Sequence, residues 1–153
     1  MKSWTKDIEI NATIEQVWKY LDGSLENMQK IMPNVVEQKP VTITENRVGS
    51  IYRQKYKEGN RIEEYDVKTE EYLDTPEKKK LKVSFILANM FEISAMYELD
   101  MVSEDKTRLR YTVTNRPLKW FVKIFLLFAT EKVVVEFLER VKNVVEADAI
   151  VKS

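Results

Sequence analysis

The chain contains neither histidine nor cysteine among its 153 residues. Any chemistry must therefore come from phenols, carboxylates, lysines and arginines. Without histidine the usual general acid–base near neutral pH is missing, and so is the commonest metal ligand. Without cysteine there is no thiolate nucleophile, disulfide or thiolate metal site. Serine triads and zinc sites of the ordinary kind are excluded, and no acidic loop has EF-hand spacing. No metal and no other cofactor is expected. What remains is a set of tyrosines in alternating segments. Tyr97 and Tyr111 fall on the apolar parity of their segments, Tyr65 shares its parity with Val67, and Tyr52 pairs with Tyr56 opposite Arg53, Lys55 and Lys57. Several phenols turned into one concavity suit an amphipathic molecule with a ring or a few oxygens, because a buried phenol normally takes a hydrogen-bond partner. The plainer alternative is that each phenol bonds backbone or water at the edge of a core. Arg61 and Glu63 share the parity of Tyr65. Either they are solvated beyond the covered part of the sheet, or they pair inside and orient a ligand's polar end. If the site is catalytic, Glu63, Tyr65 and Tyr97 are the first acid–base candidates.

The elements that would position these groups are legible from periodicity. Trp4–Ile10 alternates as a strand. Thr13 and Gln16 have capping-box spacing, and Ile14, Val17, Trp18 and Leu21 follow at helical intervals. Ser24 caps a second short helix that Pro33 ends. From Val35 the period becomes two, and six strands joined by short turns predict an antiparallel meander. Pro40 places the first of these at an edge or a bulge. Glu77–Lys82, the only basic run, reads as a solvated hairpin turn. The last segment, Leu118–Ala149, is predicted to be one helix of about 45 Å, with Pro117 at its start and Val134, Leu138, Val141 and Val145 as its buried stripe. The strands carry one apolar and one polar face, and this helix is the only cover long enough for the apolar one. The cavity left beside it should be lined by Phe85, Phe91, Ile93, Tyr97, Tyr111, Val134 and Leu138, with Tyr52, Tyr65 and Phe128 as further ligand-binding residues.

Leu118–Phe128 is apolar on nearly every side, unlike the amphipathic stretch after it. Phe121, Phe125 and Phe128 suit three roles: a cover over the cavity, the interface of a homodimer, or burial under the second short helix. Lysine plus arginine equals aspartate plus glutamate, 25 each. Such a balance argues against nucleic acid as a partner. The most apolar stretch, Trp120–Ala129, is too short to span a bilayer and contains Lys123, so stable membrane insertion is not expected. Met1–Ile10 does not resemble a signal peptide, and a cytoplasmic location is the expectation. The length suits a single domain over residues 1–153.

Strand, two short helices, six strands and a long helix resemble the helix-grip fold of the SRPBCC superfamily, which includes START, pollen-allergen and polyketide cyclase-dehydratase proteins. The opening IEINATIEQVWKYLDG is similar to that superfamily's first strand and helix, VGSIYRQKY to its glycine-led third strand, and NRPLKWFVKIFLLFATEKVVVEFLERVKNVVE to its closing strand end and helix. The resemblance implies an α+β fold in which a seven-stranded curved antiparallel sheet surrounds a C-terminal helix. It leaves several functions open. The favoured one is carriage of a small hydrophobic or aromatic molecule. A cyclase- or dehydratase-type enzyme and a cochaperone-like interaction module are the alternatives. Since no residue set for a metal is expected, a strong chelator should leave the melting temperature unchanged, and a fall of several degrees in a thermal scan would overturn that expectation.

Overall fold

A computed structural model describes residues 1–87, 89–118 and 130–152. The order is β1 (Lys2–Ile10), α1 (Ile14–Leu21), α2 (Leu25–Ile31), β2 (Val35–Thr42), β3 (Ile51–Glu58), β4 (Arg61–Asp74), β5 (Lys78–Leu87), β6 (Phe91–Ser103), β7 (Lys106–Pro117) and α3 (Glu131–Lys152). The seven strands form one antiparallel sheet in the order β1-β7-β6-β5-β4-β3-β2. This is the helix-grip arrangement. Both short helices start as their sequences require. Thr13 and Gln16 form a reciprocal capping box at α1, and Ser24 Oγ accepts from the Asn27 N–H at α2. Each cap satisfies backbone donors that a helix start leaves unpaired. Pro40 lies on the edge strand β2, where the register shifts twice; an edge tolerates its missing N–H.

Register carries the inner face across the sheet in rungs. Lys79, Leu99 and Leu109 lie abreast, as do Leu81, Tyr97 and Tyr111, then Val83, Ala95 and Val113, then Phe85, Ile93 and Asn115. Helix α3 packs on β1 and β7 and buries Val134, Leu138, Val141 and Val145. That is the stripe its sequence predicts. Residues one turn apart on a helix share a face.

Three details differ from the sequence reading. Pro117 closes β7 opposite Phe91 instead of opening a helix. β1 reaches only Asn115, so Pro117 sits past the end of that neighbouring ladder, where its missing N–H costs nothing. Leu118 is outside any helix, is partly exposed, and donates its N–H to Met90 O at 2.7 Å. Helix α3 begins at Glu131, where Thr130 accepts from Val133 N–H at its Oγ1 (3.2 Å) and from Val134 N–H at its carbonyl (3.1 Å). The expectation for Phe121, Phe125 and Phe128 falls outside the described residues. Third, Lys78–Lys80 belong to β5, and the turn ahead of them is closed by Thr75. Parity puts Lys79 on the inner face with Leu81. Its side chain is 2% exposed and its ammonium meets Glu15 at 2.8 Å and Asp74. The ammonium also lies over the Trp18 ring, 5.7 Å from its centroid, so the stem stays buried while the head reaches two carboxylates at the rim.

Helix α3 is also tied down by polar contacts. Glu146 Oε2 accepts from the Asn11 N–H and from Lys142 Nζ, both at 2.7 Å, and Lys142 donates to Glu9 O at 2.8 Å. Asp148 accepts from Tyr20 and, at 2.9 Å, from Lys19. On the opposite side Asp22 holds Arg47 (2.5 Å) and Tyr72 (2.6 Å), which fixes the β2–β3 loop against α1. Burial alone would raise the Glu146 carboxyl. The Asn11 N–H and Lys142 outweigh it, and its pKa lies below the ordinary carboxylate value. A lowered pKa stabilises the fold above the unfolded carboxylate value, and that contribution disappears as pH falls through the folded one. Glu146→Gln should therefore cost about 1–3 kcal/mol near neutral pH. Thermal unfolding from neutral pH down through the carboxylate range should show the deficit shrink; a deficit independent of pH would overturn the charged role.

Candidate functional site

The inner face does not meet α3 along its whole length. A cavity of about 550 Å³ remains between strands β3–β7, the Met32–Val35 segment after α2, and the first turns of α3. Its wall includes six aromatic rings, those of Tyr56, Tyr65, Phe85, Tyr97, Tyr111 and Phe137. Tyr97 and Tyr111, abreast on β6 and β7, stack at 5.1 Å between centroids, and Phe137 of α3 leans on both at 6.0 and 4.6 Å. Tyr65 of β4 stacks on Phe85 of β5 at 4.7 Å. Ile93, Ala95, Val113 and Val134 fill the spaces between.

Polar side chains enter this wall from both the sheet and the helix: Asn34, Gln54, Glu58, Arg61 and Glu63 on one side, Glu136 and Arg140 of α3 on the other. Gln54 donates to the Tyr65 hydroxyl at 3.0 Å, and Gln38 donates to Gln54 at 3.1 Å, a relay running across three strands. Asn34 donates to the Tyr56 hydroxyl at 3.1 Å. Arg61 and Glu63 pair at 2.9 Å, with the arginine largely exposed and the carboxylate less so. Arg140 of α3 donates to Ile31 O at 3.3 Å. The sheet also opens beside the cavity. β4 pairs with β5 only from Lys68 and Ser84 onward, and Arg61–Val67 pair with β3 alone. A second cleft of about 560 Å³ fills that gap and shares Glu63, Tyr65 and Phe85 with the cavity.

Of the residues singled out in the sequence, Glu63, Tyr65, Phe85, Ile93, Tyr97, Tyr111 and Val134 line the cavity. Tyr52, Phe91 and Leu138 are not among its described lining residues. Phe91 and Leu138 are each 2% exposed and belong to the packed core. Tyr52 lies toward the other end of β3, within electrostatic range of Arg47. Phe128 falls outside the described residues. Gln54 and Phe137 were missed. Gln54 had a signal, since it shares the parity of Tyr52 and Tyr56; Phe137 sits three residues past Val134 and so belongs to the same helix face. Among the described residues no group of carboxylates is placed to hold a metal ion.

The family model for polyketide cyclase / dehydrase and lipid transport proteins matches residues 1–146. The chain belongs to this family. No curated protein sequence matches it. Among solved structures, the di-domain ARO/CYC protein BexL superposes with a TM-score of 0.70 at 17% identity over 95% of this chain, and the chain spans 47% of BexL. Norcoclaurine synthase from Thalictrum flavum, in complex with dopamine and hydroxybenzaldehyde, gives 0.64 at 18% identity, covering 94% of this chain and 86% of the other. Major latex-like protein 151 from Panax ginseng gives 0.65 at 17% identity, covering 97% of both. At these identities the likeness is one of fold.

In this member of the cyclase / dehydrase and lipid transport family the cavity phenols are held neutral. Burial raises Tyr97 well above the ordinary phenol value, and the neighbouring Tyr111 adds to the effect. Burial pushes Tyr111 up to about 12. Burial also raises Tyr65, against the Gln54 hydrogen bond, which lowers it. At neutral pH these groups are hydrogen-bond donors and acceptors, and none is a ready base. A raised phenol pKa stabilises the fold fully below the unfolded value and is lost as pH rises through the folded one. Stability should therefore fall progressively above pH about 10. An absorbance titration of phenolate should show late ionisation that loses amplitude in a Tyr97→Phe/Tyr111→Phe variant; an unchanged late phase would contradict the assignment.

Proposed function

We propose that this chain binds a small, largely apolar molecule with an aromatic body and at least one polar group, held in the cavity beside α3. The stacked Tyr97–Tyr111 pair under Phe137 carries this reading. Two phenols and a phenyl ring facing an internal space offer flat apolar area to a ring, and the phenols add hydroxyls to a mainly hydrophobic wall. The volume, about 550 Å³, lies within the usual range of about 300–1,000 Å³ for small-molecule sites. The family description, which includes lipid transport, agrees with an apolar cargo. No helix among the described residues is long and apolar enough to cross a membrane.

A cyclase- or dehydratase-type reaction is the second reading. Its support is the placement of Glu63 beside Tyr65 at the cavity wall, in a family whose description includes cyclases and dehydrases. With the phenols neutral, Glu63 is the candidate base and Tyr65 or Tyr97 the candidate donor.

Native mass spectrometry of the protein as purified should show a retained small molecule. Tyr97→Phe and Tyr111→Phe keep the ring packing and should change stability by no more than about 0.5–1.5 kcal/mol, while weakening affinity for that molecule more. Unchanged affinity in both variants would reduce the tyrosines to core residues. Turnover of that molecule, lost in Glu63→Gln while binding persists, would establish the second reading.

A further inference from the structure

Asn115 of β7 is completely buried, yet neither its Nδ2 nor its Oδ1 has a hydrogen-bond partner among the described residues. An amide left in that state costs free energy that an apolar residue of similar size would not, so a buried unpartnered amide in a native fold calls for a reason. Its surroundings make leucine or valine the natural occupant. It shares the inner face of β7 with Tyr111 and Val113, its cross-strand neighbour on β6 is Ile93, and its partner on β1 is Lys2. Arg47 Nε is another buried side-chain nitrogen without a partner, but its guanidinium is already bonded to Asp22 and Tyr72. Asn115 has no such anchor.

The rung places this amide beside the cavity. Phe85, Ile93 and Asn115 lie abreast, and the first two line the cavity, as does Val113, two residues back on the same face. Directly opposed residues in an antiparallel pair have Cβ atoms about 4.5–5.5 Å apart. Asn115 is not itself among the described lining residues, but lies one side chain behind Ile93 and Val113, at the level of Phe85. We infer that Asn115 is a specificity-determining residue whose amide recognises a hydroxyl or carbonyl group at the inner end of the molecule the cavity holds. The assignment rests on the binding reading above. The amide supplies both a donor and an acceptor. In dry apolar surroundings a site built around such a group discriminates strongly against a ligand that leaves it unpaired. The stability given up in the free protein is then recovered as selectivity in the complex.

The experiment compares wild type, Asn115→Leu and Asn115→Ala, each freed of retained small molecules, against 2-naphthol and naphthalene, which differ by one hydroxyl. Fluorescence titration should show wild type favouring 2-naphthol by about fivefold to tenfold. Both variants should lose that preference while keeping the wild-type affinity for naphthalene. Asn115→Leu should melt at or above the wild-type temperature in the absence of probe. If only the leucine variant melts lower, from crowding, the alanine variant carries the comparison of probes. Both variants melting several degrees lower would show that the amide has a structural partner, and would overturn the assignment. A preference that survives in variants binding both probes would overturn it alone. Failure of wild type to bind either probe would overturn the binding reading together with this one.

Discussion

Antiparallel register from β5 through β1, shifted only at Met101/Ser103 beside the β6–β7 turn, is the constraint on which the rest of the molecule depends. Because side chains alternate with a period of two, one residue of slip would turn every inner group outward. The rungs show what that protects. Leu81, Tyr97 and Tyr111 stand in one row and Phe85, Ile93 and Asn115 in another, so the cavity's rings and the buried amide behind them are aligned by backbone hydrogen bonds. The Tyr97–Tyr111 stack follows from this. Neither tyrosine needs a dedicated contact to find the other, since β6 and β7 bring them together as a directly opposed pair.

Closing that face is the work of α3, and two kinds of force divide it. The stripe Val134, Leu138, Val141 and Val145 supplies non-directional burial. Glu146, Lys142 and Asp148 supply direction, because their bonds to Asn11, Glu9 and Tyr20 have fixed partners. Those three ties lie in the C-terminal half of the helix, and Glu131, paired with Lys6 at 2.8 Å, and Arg140, donating to Ile31 O, add others in the first half. Phe137, at the other end, faces the cavity rings. One helix is thus anchored along its length while its first turns also form a wall, and the space between that wall and the sheet is the candidate site. The gap between β4 and β5 extends the same idea to the sheet. Where the ladder stops, Tyr65 and Phe85 meet by stacking across the gap, while β3 and β6 hold their strands from the outer sides.

The buried lysine and the buried asparagine, on the first and last of the inner-face rungs, answer the cost of burying polarity in different ways. Lys79 is inward by parity, but its stem is long enough for the ammonium to reach Glu15 and Asp74 at the rim. Asn115 is too short to reach out, and its amide stays within the apolar layer. Side-chain length therefore separates a satisfied structural ion from a polar group available to a ligand.

Much of the architecture was legible in the residues themselves. Alternation placed the seven strands and assigned Tyr65, Tyr97 and Tyr111 inward; Thr13 with Gln16 and Ser24 marked both helix starts; the spacing of Val134, Leu138, Val141 and Val145 marked the buried stripe of α3. These are local properties, set by the periods of strand and helix and by capping chemistry. The site was less legible. Phe91 and Leu138 have the same parity and spacing as residues that line the cavity, yet they pack in the core. Gln54 and Phe137 joined the wall, and Pro117 proved to end a strand. Sequence pattern tells which face a side chain occupies. How far along that face the cover extends depends on where α3 begins, where β1 stops pairing and where β4 parts from β5. Those distances are set by long-range packing between elements far apart in the chain, so only the tertiary structure decided which inward residues meet a cavity and which meet each other.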